Sequence, residues 1–356
     1  MPFQIIRNDI TKVKADVIVN TANPKPVIGS GTDSAVYHAA GESLLLTERQ
    51  KIGDIMPGDA VATLAFHLPA KHIIHTVGPV WVDGNHRERE ILRFCYAKSL
   101  SLANDLSAES IAFPLIATGA YGFPKDEALS IALSEIGKFL LTHEMKVILV
   151  VFDQTAFELS QDLVGGIEAY IDDHGVLQAK EAEYSEDEYL GRSKMLRRKK
   201  ELERIQEDSE EYLPDALYMS EPKMSVPPLP IMDGKSLDEV LEDAGESFQQ
   251  RLFELIDESG MDDISVYKKA NIDRKVFSRI RCKEDYKPKK KTAVAFAIAL
   301  QLDLPTMLDL LSRAEIAFSP SNKFDLIITY FVTNGIYDIY EINAALFKYG
   351  QPILGE

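Results

Sequence analysis

The chain has 356 residues, 46% of them hydrophobic, and its 56 Asp and Glu against 39 Lys and Arg give a formal charge of −17. This composition excludes an intrinsically disordered chain, and the length predicts about two domains at roughly 100 to 200 residues each. The excess acid argues against nonspecific binding of the whole surface to nucleic acid or anionic membrane.

The cellular setting is predicted from signals that the sequence lacks. Its apolar runs fall short of the ~20 residues that span a bilayer, and MPFQIIRNDITK does not fit a secretory signal. The two cysteines, Cys95 and Cys282, are too few for a disulfide framework. We therefore expect a reduced cytoplasmic protein with no membrane contact.

Residues 1–171 alternate strand-like and helix-like patterns. The short apolar runs FQII, DVIVN, AVATLAF, HIIHTV, SIAFPLI and VILVVF fit strands, and helical spacing recurs at residues 33–40, 88–102 and 125–141. This alternation predicts an α/β domain with three layers, α/β/α, around a mixed sheet. Ligands of such domains bind beyond the carboxyl ends of the strands.

The other two segments differ in charge and pattern. Residues 172–246 carry 10 basic and 21 acidic residues, a net −11, against −6 for residues 1–171 and zero for residues 247–356. We interpret this middle segment as a charged helix followed by a Pro-rich linker, and a partner-binding segment is the alternative. Residues 247–356 have helical spacing nearly throughout and predict an all-α domain of about six to eight short helices.

Two glycine-bearing loops follow strands of the first segment. One runs from Asn23 through Gly29-Ser30-Gly31 to Asp33, which opens a helix, and the other is residues 118–122 before Pro124. Glycine lets backbone N–H groups approach a ligand, and helix starts attract anions, so two such loops can hold a diphosphate without a lysine. For each loop alone, a simple turn that changes the chain direction is the alternative.

Four motifs of the first segment occur in the order and spacing of a known family. They are NDIT at 8–11, DVIVNTAN at 16–23, HTVGPVW at 75–81 and FPLIATGAYGFP at 113–124. Together they resemble a macrodomain and cover nearly all of residues 1 to about 170. The spacing from Asn23 to Asp33, with the Gly119–Gly122 motif, resembles the MacroD-like class of ADP-ribosyl hydrolases.

The resemblance implies roles for the matching residues. Asp9 would accept a hydrogen bond from the adenine amino group beside the Ile10 N–H, and Phe152 would stack on adenine. Asn23 would bond the distal ribose, and Asp33 would orient or activate the attacking water. Tyr121 would shield the distal ribose, and the loops would wrap the diphosphate. The other predicted ligand-binding residues are Asn20, Gly29, Ser30, Gly31, Thr32, Thr118, Gly119, Ala120 and Gly122.

The implied reaction needs no metal and no cofactor. Water would attack an ester that joins the distal ribose of ADP-ribose to an Asp or Glu side chain, or an O-acyl ester of ADP-ribose. Asp33 and the substrate's phosphate would hold that water, and proton transfer contributes roughly two to four orders of magnitude. Ser30 and Thr32 depart from the class pattern, where a Gly and a small aliphatic residue stand. Neither change removes a polar participant, so hydrolysis is favoured over binding without turnover.

Three other side chains have simpler interpretations. We expect His75, within a strand, to be a hydrogen-bonded core or rim histidine and not a catalytic base. Cys95 lies in the helical run ILRFCYAKSL and is expected in the core. Trp81 either packs a loop or touches a ligand.

A basic cluster stands within the helical segment, where residues 267–292 hold 11 Lys or Arg against three acids, a local +8. SVYKKANIDRKVFSRIR predicts a helix, a tight turn at 270–273 and a second helix, and with the following residues it resembles the repressor-type helix-turn-helix fold. That resemblance implies nucleic-acid contacts from Arg274, Lys275, Ser278 and Arg279. A helical domain that contacts protein is the alternative.

Three functional hypotheses follow. In the first, the chain is a bacterial-type hydrolase that removes ADP-ribose from a carboxylate-linked protein or a related ester. In the second, it is a sensor that binds ADP-ribose or a related nucleotide without turnover and changes what the helical domain contacts. In the third, the helical segment brings the hydrolase to DNA or to a protein partner.

Overall fold

The computed structural model of the chain describes residues 2–151, 246–283 and 286–355. The predicted charged helix and Pro-rich linker of residues 172–246 lie outside the described residues except for Glu246, and so does Phe152. In the described ranges, no helix combines the length and the apolar character that a membrane span requires.

A six-stranded mixed sheet forms the centre of the first segment. Its strands are β1 (Phe3–Arg7), β2 (Val17–Thr21), β3 (Ala60–Leu64), β4 (His72–Thr76), β5 (Ser110–Pro114) and β6 (Lys146–Val151). Their order across the sheet is β1-β6-β5-β2-β4-β3. β3 pairs antiparallel with β4, and the other recorded pairs are parallel. All six apolar runs predicted as strands are therefore confirmed.

Helices cover both faces of this sheet. They are α1 (Thr32–Ala40), α2 (Glu42–Ile52), α3 (Glu88–Asp105) and α4 (Lys125–Thr142), and a 3-10 turn spans Ile10–Lys12. Side chains of α3 and α4 pack with Val17 and Val19, whereas those of α1 and α2 pack with Ile18, which points to the opposite face. The three-layer arrangement is confirmed. Helix α2 was not predicted, because only two of its residues, Leu45 and Arg49, are buried and its apolar stripe is narrow.

The described residues of the last segment form seven helices. They are α5 (Phe248–Ser259), α6 (Asp263–Lys269), α7 (Arg274–Cys282), α8 (Lys290–Ala299), α9 (Leu304–Ser312), α10 (Lys323–Thr333) and α11 (Ile339–Lys348). The predicted helix, turn and helix are present as α6, residues 270–273 and α7. Phe277 of α7 packs against Phe253, Tyr267 and Phe296, with ring centroids 5.7 to 6.0 Å apart.

The helical segment packs directly against the sheet domain. The described residues of the two segments belong to one compact unit with a shared hydrophobic cluster. Tyr340 of α11 lies edge-on to Phe3 of β1, with ring centroids 5.3 Å apart. Its ring also lies against Gly137 of α4, where an added Cβ would come within 2.9 Å of Tyr340 Cε2. Gly137, a poor helix former, therefore allows this close approach.

Asn271, in the turn between α6 and α7, joins the helical segment to the edge of the sheet. Its Oδ1 accepts the Phe3 N–H at 2.9 Å, and its Nδ2 donates to the carbonyls of Phe3 and Leu354 at 3.1 and 3.2 Å. Because β1 is an edge strand, these bonds satisfy backbone groups that the sheet leaves unpaired. The turn thus covers one end of the open edge.

Candidate active site

The two glycine-bearing loops leave the sheet side by side at its carboxyl edge. β2 and β5 are parallel neighbours, with Val17 opposite Ile111, so residues 22–31 and 115–122 follow adjacent strands. Burial raises the pKa of Tyr121 in the second loop, and the charge of Asp33 adds to this effect. Asp33 and Tyr121 therefore lie within electrostatic range of each other, at the edge where ligands of such sheets bind.

Asp33 is buried in the first turn of α1, with 3% of its surface exposed. Its Oδ1 accepts a hydrogen bond from Asn20 Nδ2 at 2.6 Å, and its Oδ2 accepts the Gly29 N–H at 2.6 Å. Burial raises the pKa of Asp33 above its usual value, while these two bonds and the Arg49 charge act in the opposite direction. A fixed carboxylate with a raised pKa is a better proton acceptor than an exposed one.

Asn20 is in turn held by a buried histidine. Asn20 Nδ2 lies 3.2 Å from His75 Nδ1, and His75 Nε2 lies 3.0 Å from the Thr63 hydroxyl, which donates to the Leu64 carbonyl. Since that hydroxyl proton is used, we assign the ring proton to Nε2 and the acceptor role to Nδ1. Burial lowers the pKa of His75 to about 3. The ring is therefore neutral, and the predicted hydrogen-bonded core histidine is confirmed.

Asn23, predicted to bond the distal ribose, is half-buried in the turn after β2. Its Oδ1 accepts the Lys25 N–H at 3.1 Å. From the interior side, Nη2 of Arg49 donates to the carbonyls of Asn23 and Pro24 at 3.3 and 3.2 Å. Arg49 was not among the predicted site residues. Its position one turn after the buried Leu45 was the only signal in the sequence that it points inward.

The starts of α1 and α4 present backbone donors to the space beside these loops. Helix α1 begins after Gly31, whose φ is +62°, and α4 begins after Pro124; neither has a side-chain cap. The first N–H groups of such helices lack intrahelical acceptors and carry partial positive charge. The second loop closes through the Gly122 N–H to the Gly119 carbonyl at 3.0 Å. This geometry suits a phosphate group held by backbone amides.

Trp81 supports the second loop. Its backbone N–H donates to the Tyr121 carbonyl at 2.9 Å, and its ring lies edge-on to Phe123 with centroids 4.7 Å apart. The Arg89 guanidinium stacks 5.3 Å from the ring centre. Of the two interpretations of Trp81, its contacts match the packing of a loop.

Asp9 lies near the end of β6, the strand that Phe152 follows in sequence. The Asn8 N–H donates to the Val151 carbonyl at 3.0 Å, which places the NDIT turn there. Asp9 Oδ1 accepts from the Thr11 N–H and hydroxyl at 2.9 and 2.7 Å. The hydroxyl bond outweighs burial and lowers the pKa of Asp9. The carboxylate is therefore charged and oriented, as an acceptor for an amine requires.

The structure separates the predicted residues into two groups. The described ones of the first segment gather at the carboxyl edge of the sheet, at the end of β2, on the turns and loops described above and in the first turn of α1. Of these, Asn20 is fully buried and contacts Asp33. The predicted nucleic-acid residues all lie exposed on α7: Arg274, Lys275, Ser278 and Arg279.

Asp83, His86 and Glu88 form the one group of possible metal ligands among the described residues, with ligand atoms within 4.8 Å of one another. The Glu88 carboxylate already accepts the N–H groups of Gly84 at 3.1 Å and His86 at 2.6 Å. These bonds order the loop that precedes α3, which is a sufficient role for Glu88.

The first segment is similar to proteins of a known family. Residues 19–132 match the family model described as Macro domain. The O-acetyl-ADP-ribose deacetylase of Enterobacter cloacae subsp. cloacae is 45% identical over 167 residues, which cover 46% of this chain and 93% of that protein. The protein of the same name from Escherichia coli (strain K12) is 43% identical over 167 residues, covering 46% and 94%. A solved Oceanobacillus iheyensis macrodomain with ADP is 39% identical, covers 43% of this chain and 84% of its own, and has a TM-score of 0.41.

Proposed function

Because the chain belongs to the macrodomain family, we propose that its sheet domain is a hydrolase that binds ADP-ribose esters and releases free ADP-ribose. The substrates are mono-ADP-ribose linked to Asp or Glu of a protein, or O-acetyl-ADP-ribose. Two relatives named O-acetyl-ADP-ribose deacetylase, at 45% and 43% identity over nearly their whole length, support this activity.

The observation that supports hydrolysis most directly is the setting of Asp33. Its carboxylate is buried, with both oxygens held by Asn20 and Gly29 and its pKa raised by burial. An acid needed only to start α1 would be stabilised at the exposed helix end and would need no such bonds. A base that takes a proton from water benefits from both features.

The ligand lies along the carboxyl edge in this proposal. Adenine contacts Asp9 and the Ile10 N–H, with Phe152 stacked on the ring. The diphosphate is held by backbone amides at the uncapped starts of α1 and α4 and by their glycine loops. The distal ribose contacts Asn23 and is shielded by Tyr121. Because the sheet domain carries −6, amides in place of lysines are consistent with its composition.

The reaction then uses groups of the protein and the substrate alone. Water held between Asp33 and the substrate's phosphate attacks the scissile ester. Asp33 accepts the proton of that water as the ester C–O bond breaks, and the proton passes to the departing oxygen. Positioning and proton transfer supply the acceleration, roughly two to four orders of magnitude for the proton transfer.

One assay tests this function against the sensor alternative. The full chain is incubated with an Asp/Glu-ADP-ribosylated protein and, separately, with O-acetyl-ADP-ribose, and free ADP-ribose is measured beside ADP-ribose binding by calorimetry. We expect both release and binding. Binding without release of ADP-ribose from either ester would establish the sensor, and the absence of both would overturn the proposal.

A second candidate function concerns α7. Its Val276, Phe277 and Ile280 are buried, and the opposite side exposes the cations Arg274, Lys275 and Arg279. Like Lys283, which follows the helix, these pair with no acid among the described residues. Unpaired exposed cations on one helix favour a phosphate-bearing partner. We therefore propose duplex DNA as the partner of this helix, and a protein partner is the alternative.

A further inference from the structure

Arg49 places a guanidinium group behind the candidate site, 1% exposed. Among the described residues, no carboxylate forms an ion pair with it. A buried cation is costly unless hydrogen bonds replace the water that it loses. Backbone carbonyls supply these bonds: Nη2 donates to Asn23 and Pro24, and Nη1 donates to Gly53.

We propose that Arg49 is a positioning residue for the hydrolysis, which orients the Asn23 turn through its backbone and stabilises the ionised Asp33 through its charge. The role rests on the proposed function. It is distinct from that of the predicted residues, because Arg49 lies on the interior side of the turn and acts through other groups.

Arg49 bridges two chain segments through its guanidinium group. Residues 23–24 follow β2 and residue 53 follows α2, and one planar guanidinium donates to both. The Pro24 carbonyl also accepts the Ile55 N–H at 2.8 Å. A lysine ammonium is a single nitrogen and cannot reproduce this fork. Without these guanidinium bonds, the partly buried carbonyls of Asn23 and Gly53 lose this donor, and the Asn23 turn loses its link to the end of α2.

Arg49 also acts on Asp33 through its charge. Among the described residues, the groups that bond Asp33 or interact with it electrostatically are the Asn20 amide, the Gly29 N–H, Tyr37, Tyr121 and Arg49. The neutral His75 stands behind Asn20. Of these, Arg49 alone is a cation, and its charge lowers the pKa of Asp33 against the larger effect of burial. Removing the charge therefore raises the pKa of Asp33 further.

Two variants separate the effect of the guanidinium hydrogen bonds from the effect of the charge. Arg49→Lys keeps the charge and loses the fork, whereas Arg49→Gln loses the charge. For each, the measurements are ADP-ribose affinity by calorimetry, the pH dependence of kcat for ADP-ribose release, and thermal unfolding. Lys51→Gln, which removes an exposed cation from the same helix, is the control for both the affinity and the pH profile.

We expect both Arg49 variants to bind ADP-ribose about tenfold more weakly, equivalent to about 1.4 kcal/mol. The acid limb of the kcat profile should move to higher pH in Arg49→Gln and stay in place in Arg49→Lys. A purely structural role would lower the thermal stability and leave this limb unmoved.

Wild-type affinity in a folded Arg49→Lys variant would overturn the proposal that the guanidinium orients the Asn23 turn, whether or not Arg49→Gln folds. An equal shift of the acid limb in both variants would overturn the electrostatic part. If the wild-type chain releases no ADP-ribose, the proposed hydrolase function fails. The affinity comparison then still decides whether Arg49 orients the Asn23 turn.

Discussion

Asn20 Nδ2 donates a 2.6 Å hydrogen bond to Oδ1 of Asp33, and this bond links β2 to the first turn of α1. A residue of the central sheet thereby fixes the carboxylate proposed as the base. His75 holds the same amide nitrogen at 3.2 Å, so the sheet limits the orientations open to both Asn20 and Asp33.

Replacing Asn20 should change the pH profile as well as the rate. The bond from Asn20 lowers the pKa of Asp33, so its loss in Asn20→Ala raises that pKa. Since the reaction needs ionised Asp33, the acid limb of kcat should move to higher pH, and kcat should fall about tenfold or more because the base is less well oriented. An unmoved limb with normal kcat would remove Asn20 from this role.

Gly29 is predicted to be intolerant of a side chain. A Cβ at this position would lie 3.0 Å from Asp33 Oδ2, closer than most real Cβ contacts. Gly29→Ala should therefore displace the carboxylate and lower kcat about tenfold, with cooperative thermal unfolding retained. His38→Ala, on the exposed side of α1, is the control and should keep the wild-type rate. Equal rates for both variants would contradict the proposed geometry.

Asn271→Gly should destabilise the sheet domain, although Asn271 lies in the helical segment. Glycine tolerates the φ of +53° at this position, so the variant isolates the loss of three side-chain hydrogen bonds to buried backbone. We expect a loss of about 1–3 kcal/mol in the free energy of unfolding. Fluorescence of Trp81, the single tryptophan, follows the sheet domain during urea unfolding. An unchanged Trp81 transition would show that the two segments unfold independently.

The exposed side of α7 should bind duplex DNA in a salt-dependent way. Fluorescence anisotropy with a labelled duplex should show affinity that falls as salt rises, because phosphate contacts release counterions. Arg274→Glu with Arg279→Glu should abolish binding. Lys51→Glu with Arg87→Glu makes the same change in net charge on the sheet domain and should retain it. Equal losses in the two double variants would indicate nonspecific charge attraction and contradict a site on α7.

Apart from α2, the helices and strands of both segments could be predicted from local sequence pattern. DVIVN has the β-branched run of a buried strand. The seven helices among the described residues of the helical segment fall within the predicted range, because periodicity and turn residues act over short distances. The surroundings of Asp33 could be predicted in part too, since Asn20, Asn23 and Asp33 lie in one stretch of the sequence, residues 20–33.

The contacts between residues that are distant in the chain could not be predicted from the sequence. Asn271 bonds Phe3 from 268 positions away, and no local pattern marks an asparagine in a turn as a partner for an edge strand. Local pattern predicts a helical domain at residues 247–356, but it does not indicate the hydrophobic cluster that its described residues share with the sheet. The role of Arg49 could not be predicted for a related reason. Among the described residues, its side chain bonds only to backbone carbonyls, so no complementary side chain marks it in the sequence.

We propose that Asp33 acts in turnover and not in ligand binding, and a comparison of Asp33→Ala with the wild-type chain tests this role most directly. ADP-ribose affinity is measured by calorimetry, and release of ADP-ribose from an Asp/Glu-ADP-ribosylated protein is followed in the same samples. We predict affinity within a few-fold of wild type and a release rate lower by about two orders of magnitude or more. Equal rates of ADP-ribose release by the variant and the wild type would contradict a role of Asp33 in turnover.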